Sequence, residues 1–191
     1  MGISSPLLKQ AGFAKSKIFT AIAWVAVPDG LSQYWQLTSP IAVKAGAEIE
    51  ISFIGGTPSN AYGKFIESAS NRSGIDAGST SSFFRVRFGT ATLNDEPGDI
   101  NQDPIPTSGE NKLILTPSED TTFETIGSRG SGELMNLPLY MLRVRDLNGV
   151  LTNEIPLTNK SQGETQSPTV GDVSAVMANF TAAVWKDKSN L

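Results

Sequence analysis

Apolar and polar residues alternate most cleanly over Glu48 to Ile54, where Glu48, Glu50 and Ser52 point one way and Ile49, Ile51 and Phe53 the other. A period of two marks a strand with one buried and one solvated face, which suits an antiparallel sandwich. Phe83 to Ala91 repeats the pattern, with Phe84, Val86 and Phe88 on one face and Arg85 and Arg87 on the other. Further strands are predicted over Ile18 to Val27, Tyr34 to Val43, Lys64 to Ser68, Lys112 to Leu115, Thr122 to Ile126, Leu139 to Arg145 and Val150 to Leu157. A last strand lies within Val176 to Trp185. Ala175 to Ala182 lacks a clear period, so a short helix is the alternative there. The 18 Gly and 11 Pro fall between these runs as turn punctuation.

The pattern amounts to about nine or ten short strands, with no firm helix, internal repeat or heptad. It predicts an all-β chain: an antiparallel two-sheet β-sandwich of jelly-roll type over residues 17–191. Residues 1–16 carry no strand alternation, only a weak stripe of Leu7, Leu8 and Phe13, and read as an arm or linker that packs on a neighbour.

Composition narrows the chemistry. The 191 residues include no Cys and no His. That excludes a disulfide scaffold, a thiolate nucleophile, thiolate or imidazole metal ligands and a Ser-His-Asp triad. A net charge of −4, with 18% charged residues, makes nucleic acid a poor partner. No run approaches the roughly 18–20 apolar residues that cross a bilayer. Ile18 to Val27 is too short, and Pro28-Asp29-Gly30 follows it instead of a signal-peptide cleavage site. Absence of Cys fits synthesis in a cytoplasm, and membrane insertion is not expected.

Two segments carry a family resemblance. Pro28 to Phe53 runs PDGLSQYWQLTSPIAVKAGAEIEISF, a polar turn, an aromatic-rich strand, an AG turn and then EIEISF. Leu139 to Trp185 contains LYMLRVRDLNGVLTNEIPLTN, a polar spacer and ANFTAAVW. Together, over roughly 70 of the 191 residues, they resemble the concanavalin A-like (laminin-G-like) jelly-roll domains of phage tail and fibre proteins. The "D-G-x-W/Y-H" turn and "V-x-L-Y-x-D-G" hairpin common in such domains are not legible between them, and residues 94–136 are longer and more polar than that pattern. The resemblance implies a virion protein that binds a glycan or a neighbouring protein.

Five groups of residues are candidates for chemistry. Glu48 and Glu50 share a strand face, as paired glycanase carboxylates would, but no third acid joins them, and a solvated face is the expected reading. In the acidic loop, Asp99, Asn101, Asp103 and Glu110 stand at offsets 1, 3, 5 and 12, the oxygen-ligand spacing of a calcium loop. Pro104 occupies the sixth position, where an EF-hand needs glycine, so the expectation is a non-EF-hand calcium site or a solvated loop. Tyr34, Trp35, Asn60 and Tyr62, with Gln33 nearby, offer flat rings and amides for a sugar. Because Tyr34 and Trp35 are adjacent in a strand, one faces in and the other out. Trp24 and Trp185 read as core or edge residues. The Asn71 to Ser82 loop has no phosphate-loop pattern and reads as a surface loop; its Asn71-Arg72-Ser73 triplet matters only in a secretory pathway. Arg85, Arg87, Arg143 and Arg145 form one basic stripe if their strands are neighbours, or otherwise pair with Glu48 and Glu50.

The expected function is that of a bacteriophage virion structural protein. Its expected role is a homo-oligomeric tail-fibre or receptor-binding component that recognises host-surface glycan without catalysis. The alternatives are a capsid or tail decoration protein that cements neighbouring virion subunits and, with least support, a carboxylate-dependent polysaccharide hydrolase or lyase.

Overall fold

The computed structural model describes residues 23–80, 82–96, 98–129 and 133–191. The expected arm, 1–16, lies outside them, as does the first half of the Ile18 to Val27 strand. Fourteen strands are formed among the described residues: β1 (Trp24–Ala26), β2 (Trp35–Val43), β3 (Glu48–Ile54), β4 (Lys64–Glu67), β5 (Gly74–Ala77), β6 (Phe84–Arg87), β7 (Gly89–Leu93), β8 (Glu110–Pro117), β9 (Thr121–Ile126), β10 (Leu139–Arg145), β11 (Leu151–Pro156), β12 (Thr165–Gln166), β13 (Ala175–Met177) and β14 (Trp185–Asp187). Where a helix was the alternative, β13 and a 3-10 turn at Ala182–Val184 stand instead. That turn closes with Val184 N donating to Thr181 O.

All pairings are antiparallel. A five-stranded sheet runs β11-β10-β3-β8-β7, and a seven-stranded sheet runs β12-β13-β2-β9-β4-β5-β6. They face each other across one core. Ile49, Ile51 and Phe53 of β3, Leu113 and Leu115 of β8 and Leu142 and Val144 of β10 belong to the first sheet's buried side. Trp35, Leu37, Ile41, Phe65, Ile75, Phe84 and Phe123 come from the second. Three rings fasten the layers: Phe53 meets Phe65 edge-on at 4.9 Å and Phe84 at 6.4 Å, geometries that favour aromatic pairs beyond area burial. The short β1–β14 ribbon buries Val25 against Tyr140 and Ile54, on the other side of the five-stranded sheet.

The Phe83 to Ala91 run is not one strand. At Phe88 the backbone turns left-handed (φ 50°), and the chain leaves the seven-stranded sheet as β6 and enters the five-stranded sheet as β7. Phe88 is therefore half exposed, while Phe84 is buried. The next residue is Gly89, where any Cβ would stand 2.5 Å from Thr116 O, so only glycine lets β7 approach β8 here.

β6 and β7 are the outermost strands of their sheets, and unpaired edges invite aggregation. The acidic loop covers both. Gln102 N donates to Phe84 O, Phe84 N to Asp103 O and Ile100 N to Ala91 O. Ile100 and Ile105 of this loop are buried in the core.

Candidate functional site

The outer face of the seven-stranded sheet should be polar and wet. Instead, Lys64, Glu67 and Asp76 are fully buried there. Register sets Lys64 beside Asp76 and Asp76 beside Arg85, with Glu67 and Arg87 flanking Gly74. Any Cβ at Gly74 would lie 2.3 Å from Ile66 O, so glycine lets these strands close up. The segment after β9 reaches the same face: Lys64 N donates to Glu133 O, and Met135 N donates to Gly127 O. The Asn71 to Ser82 stretch is thus not merely a surface loop, since β5 lies inside it and is buried throughout.

Buried charges persist only when paired. Lys64 Nζ lies 2.9 Å from Glu67, 3.0 Å from Asp76 and 3.2 Å from Glu133. Arg85 grips Asp76 through Nε (2.9 and 3.2 Å) and Nη2 (2.8 Å). Arg87 Nε approaches Asp76 at 3.5 Å, and Arg129 Nε approaches Glu67 at 3.3 Å. Neither oxygen of Glu67 has an aligned hydrogen bond, so attraction from Lys64 and Arg129 holds its charge in place. Burial disfavours the charged form of Arg85, but the hydrogen bonds and charge of Asp76 outweigh it and raise its pKa.

Beside this cluster, Tyr62, Gly78, Ser79, Thr80, Phe83, Arg85 and Gln102 line an open cleft of about 310 Å³. The Arg85 guanidinium sits 4.4 Å from the centre of the Tyr62 ring, a cation–π contact. Phe83 is 41% exposed. Tyr62 (φ 63°) and Gln102 (φ 77°) are both left-handed non-glycine residues, and both line this cleft. Such conformations cost energy and persist where surrounding structure enforces them, commonly at functional sites. The cleft thus combines aromatic surface, two hydroxyls, an amide and a fixed cation.

Of the residues proposed for sugar binding, Tyr62 lines this cleft. Trp35 is 0% exposed and belongs to the core, so it offers no stacking surface; alternation turns it inward and leaves Tyr34 half-buried on the other side. Tyr34 does not line the cleft. Asn60 is a tie between loops: its Nδ2 donates to Gly30 O and, at 3.2 Å, to Leu134 O. Gln33 is buried and donates to Asn179 O. Trp185 is buried, and Trp24 is half-buried with Lys160 Nζ 3.4 Å from its ring centre.

The calcium spacing has another use. Asp99 Oδ1 accepts from Ala91 N and Asn101 N, and Asn101 Oδ1 accepts from Val86 N. These side chains cap the amides of edge strands β6 and β7. Asp103 contributes its carbonyl to the same edge, whereas Glu110 pairs with Lys188 near the C-terminus. Among the described residues no three acidic side chains gather as a metal site, so Asp99, Asp103 and Glu110 are not brought together.

The four arginines do not form one stripe, because Arg85 and Arg87 lie on β6 and Arg143 and Arg145 on β10, in different sheets. Arg143 bridges its strand neighbours Glu50 (2.9 Å) and Glu154 (2.5 Å). Burial opposes its charge, and Glu154 and Glu50 together raise its pKa. The hydrogen bond from Thr169 and the Arg143 contact lower that of Glu154. Glu50 is thus engaged by Arg143 and not free beside Glu48. Sequence reasoning missed Arg85, Phe83, Ser79, Thr80 and Gln102 as cleft residues. The one available signal was Arg85 alternating with Phe84 on a strand that follows a Gly/Ser-rich stretch.

No protein-family model, curated protein or solved structure matches this chain. The concanavalin A-like resemblance therefore stands on the residue patterns of its two end segments.

Proposed function

We propose that this chain is a bacteriophage virion protein, a homo-oligomeric tail-fibre or receptor-binding component that recognises host-surface glycan without catalysis. The virion assignment, and the finer description of the sandwich as a concanavalin A-like jelly roll, draw on the resemblance carried by Pro28 to Phe53 and Leu139 to Trp185. The observation that supports glycan recognition is the Tyr62 cleft. Sugars present apolar ring faces and a fringe of hydroxyls, and the cleft offers the rings of Tyr62 and Phe83 beside Ser79, Thr80 and Gln102. Its floor is rigid, because Arg85 is clamped between Asp76 and the Tyr62 ring. A shallow site of this kind binds weakly alone, and repeated copies on a virion multiply the effect. The test is binding of the purified protein to bacterial cells and to a glycan array. Saturable binding lost in Tyr62→Ala and Phe83→Ala supports the reading; binding unchanged in both variants contradicts it.

One observation favours the second reading, a decoration protein that cements neighbouring virion proteins. The β10–β11 hairpin tip holds Leu147 and Val150 63% and 57% exposed, an apolar pair that a neighbouring subunit would bury. Under that reading, Leu147→Ser with Val150→Ser abolishes incorporation into particles and leaves cell binding by the free protein unchanged.

A further inference from the structure

We infer that the Tyr62 cleft takes an acidic sugar, one whose ring carries a carboxylate, held on the Nη1 edge of Arg85. This deepens the glycan reading of the same cleft and rests on it. Arg85 commits Nε and Nη2 to Asp76, and among the described residues no hydrogen bond uses Nη1. Arg85 lines the cleft, so the two N–H groups of Nη1 are the strongest donors available to a ligand there. The guanidinium is already fixed by Asp76 below and by the Tyr62 ring at 4.4 Å. A carboxylate that engages it pays little of the side-chain ordering that a free arginine would require.

Local charge favours an anion even though the chain as a whole carries −4. Asp76 alone faces Lys64, Arg85 and Arg87. With Glu67, Glu133 and Arg129 included, the described cluster holds four cations against three carboxylates. At physiological salt, charges more than about 8 Å away are largely screened, so a ligand in the cleft responds to this cluster more than to distant surface acids. Ser79, Thr80 and Gln102 remain for ring hydroxyls, and Phe83 for an apolar ring face.

The experiment is calorimetric titration of the full-length chain with acidic hexasaccharides (oligogalacturonate, oligomannuronate and a sialic acid oligomer). Each is paired with its methyl ester, which keeps the linkage and removes the charge. The inference predicts that at least one acid form binds about tenfold or more tightly than its ester, and that raising salt from about 20 to 300 mM weakens it. Ser79→Glu, at an exposed rim position, should abolish that preference. Arg85→Lys, which keeps a cation on Asp76, should weaken acid binding about tenfold while the thermal midpoint shows that both variants fold. Equal binding of acid and ester overturns the acidic-sugar inference and leaves glycan recognition standing. A preference that survives both substitutions places the anion elsewhere and also overturns it. Binding of neither form in the whole panel overturns the acidic-sugar inference; the glycan reading falls with it only if the cells and the glycan array also show no binding.

Discussion

Lys64→Met strips a buried ammonium from two buried carboxylates. In the native chain Lys64 is 0% exposed and lies about 3 Å from both Glu67 and Asp76. Methionine fills nearly the same volume, so the loss is electrostatic more than steric. Removing one partner of a buried ion pair costs about 3–5 kcal/mol. The low end applies here, because Asp76 keeps Arg85 and Arg87 and Glu67 keeps Arg129. A loss of about 3 kcal/mol lowers the thermal midpoint by roughly 6–12 °C in a chain of this size. Urea unfolding followed by the fluorescence of buried Trp35 and Trp185 reads it as a lower midpoint at constant slope. The double variant Lys64→Met, Glu67→Met should recover about 1 kcal/mol or more, because Arg129 is partly exposed and can turn to water. A single-variant loss below about 1 kcal/mol would mean that water already solvates the cluster, and would refute the argument that its fixed charges hold Arg85 in place.

Further predictions follow from other contacts. Gly74→Ala sets a Cβ 2.3 Å from Ile66 O and 2.7 Å from Glu67 Cα, backbone atoms that cannot yield, so it should cost about 1–3 kcal/mol in the same unfolding assay. Burial raises the carboxyl of Asp29, but the backbone amides of Ser32, Leu31 and Gln33 outweigh it and hold its pKa at about 2 against an ordinary 3.8. A depressed pKa contributes stability above the unfolded value that is lost as pH falls through the folded one. Screening at this exposed site limits the contribution to about 1 kcal/mol, so the gap in thermal midpoint between wild type and Asp29→Asn should close as pH drops from about 4 to 2. Asn101→Ala exposes the Val86 amide and should cost about 1 kcal/mol. Chelator should leave the thermal midpoint of the wild type unchanged, because the oxygens of Asp99 and Asn101 serve as edge caps.

Legibility in the sequence followed the cleanness of alternation. Glu48 to Ile54 and Leu139 to Arg145 form strands with the bounds read from the sequence, and both lie inside the five-stranded sheet with one apolar face in the core. The sequence predicts a loop at β5 because Gly74-Ile75-Asp76-Ala77 is short and its polar residue is buried, paired with Lys64, Arg85 and Arg87. Lys64 and Glu67 are buried in the same cluster, and no local pattern signals it. Phe83 to Ala91 looks continuous because its period is right, yet the chain changes sheets at Phe88. The calcium offsets in the acidic loop do not describe one site: Asp99 caps Ala91 of β7, Asn101 caps Val86 of β6, Asp103 meets Phe84 through its carbonyl, and Glu110 pairs with Lys188. In the cleft, Tyr62 was legible as an aromatic beside polar residues. Arg85 was not, because its partner Asp76 becomes visible as a partner only once β5 is known to be a strand.

The most direct test of the central claim, glycan recognition at the Tyr62 cleft, is an amide chemical-shift titration of the isotope-labelled chain with the glycan of a bacterial surface to which it binds. The account predicts saturable shifts concentrated at Tyr62, Gly78, Ser79, Thr80, Phe83, Arg85 and Gln102, lost in Tyr62→Ala. Shifts centred elsewhere, such as the Leu147–Val150 hairpin, would contradict it.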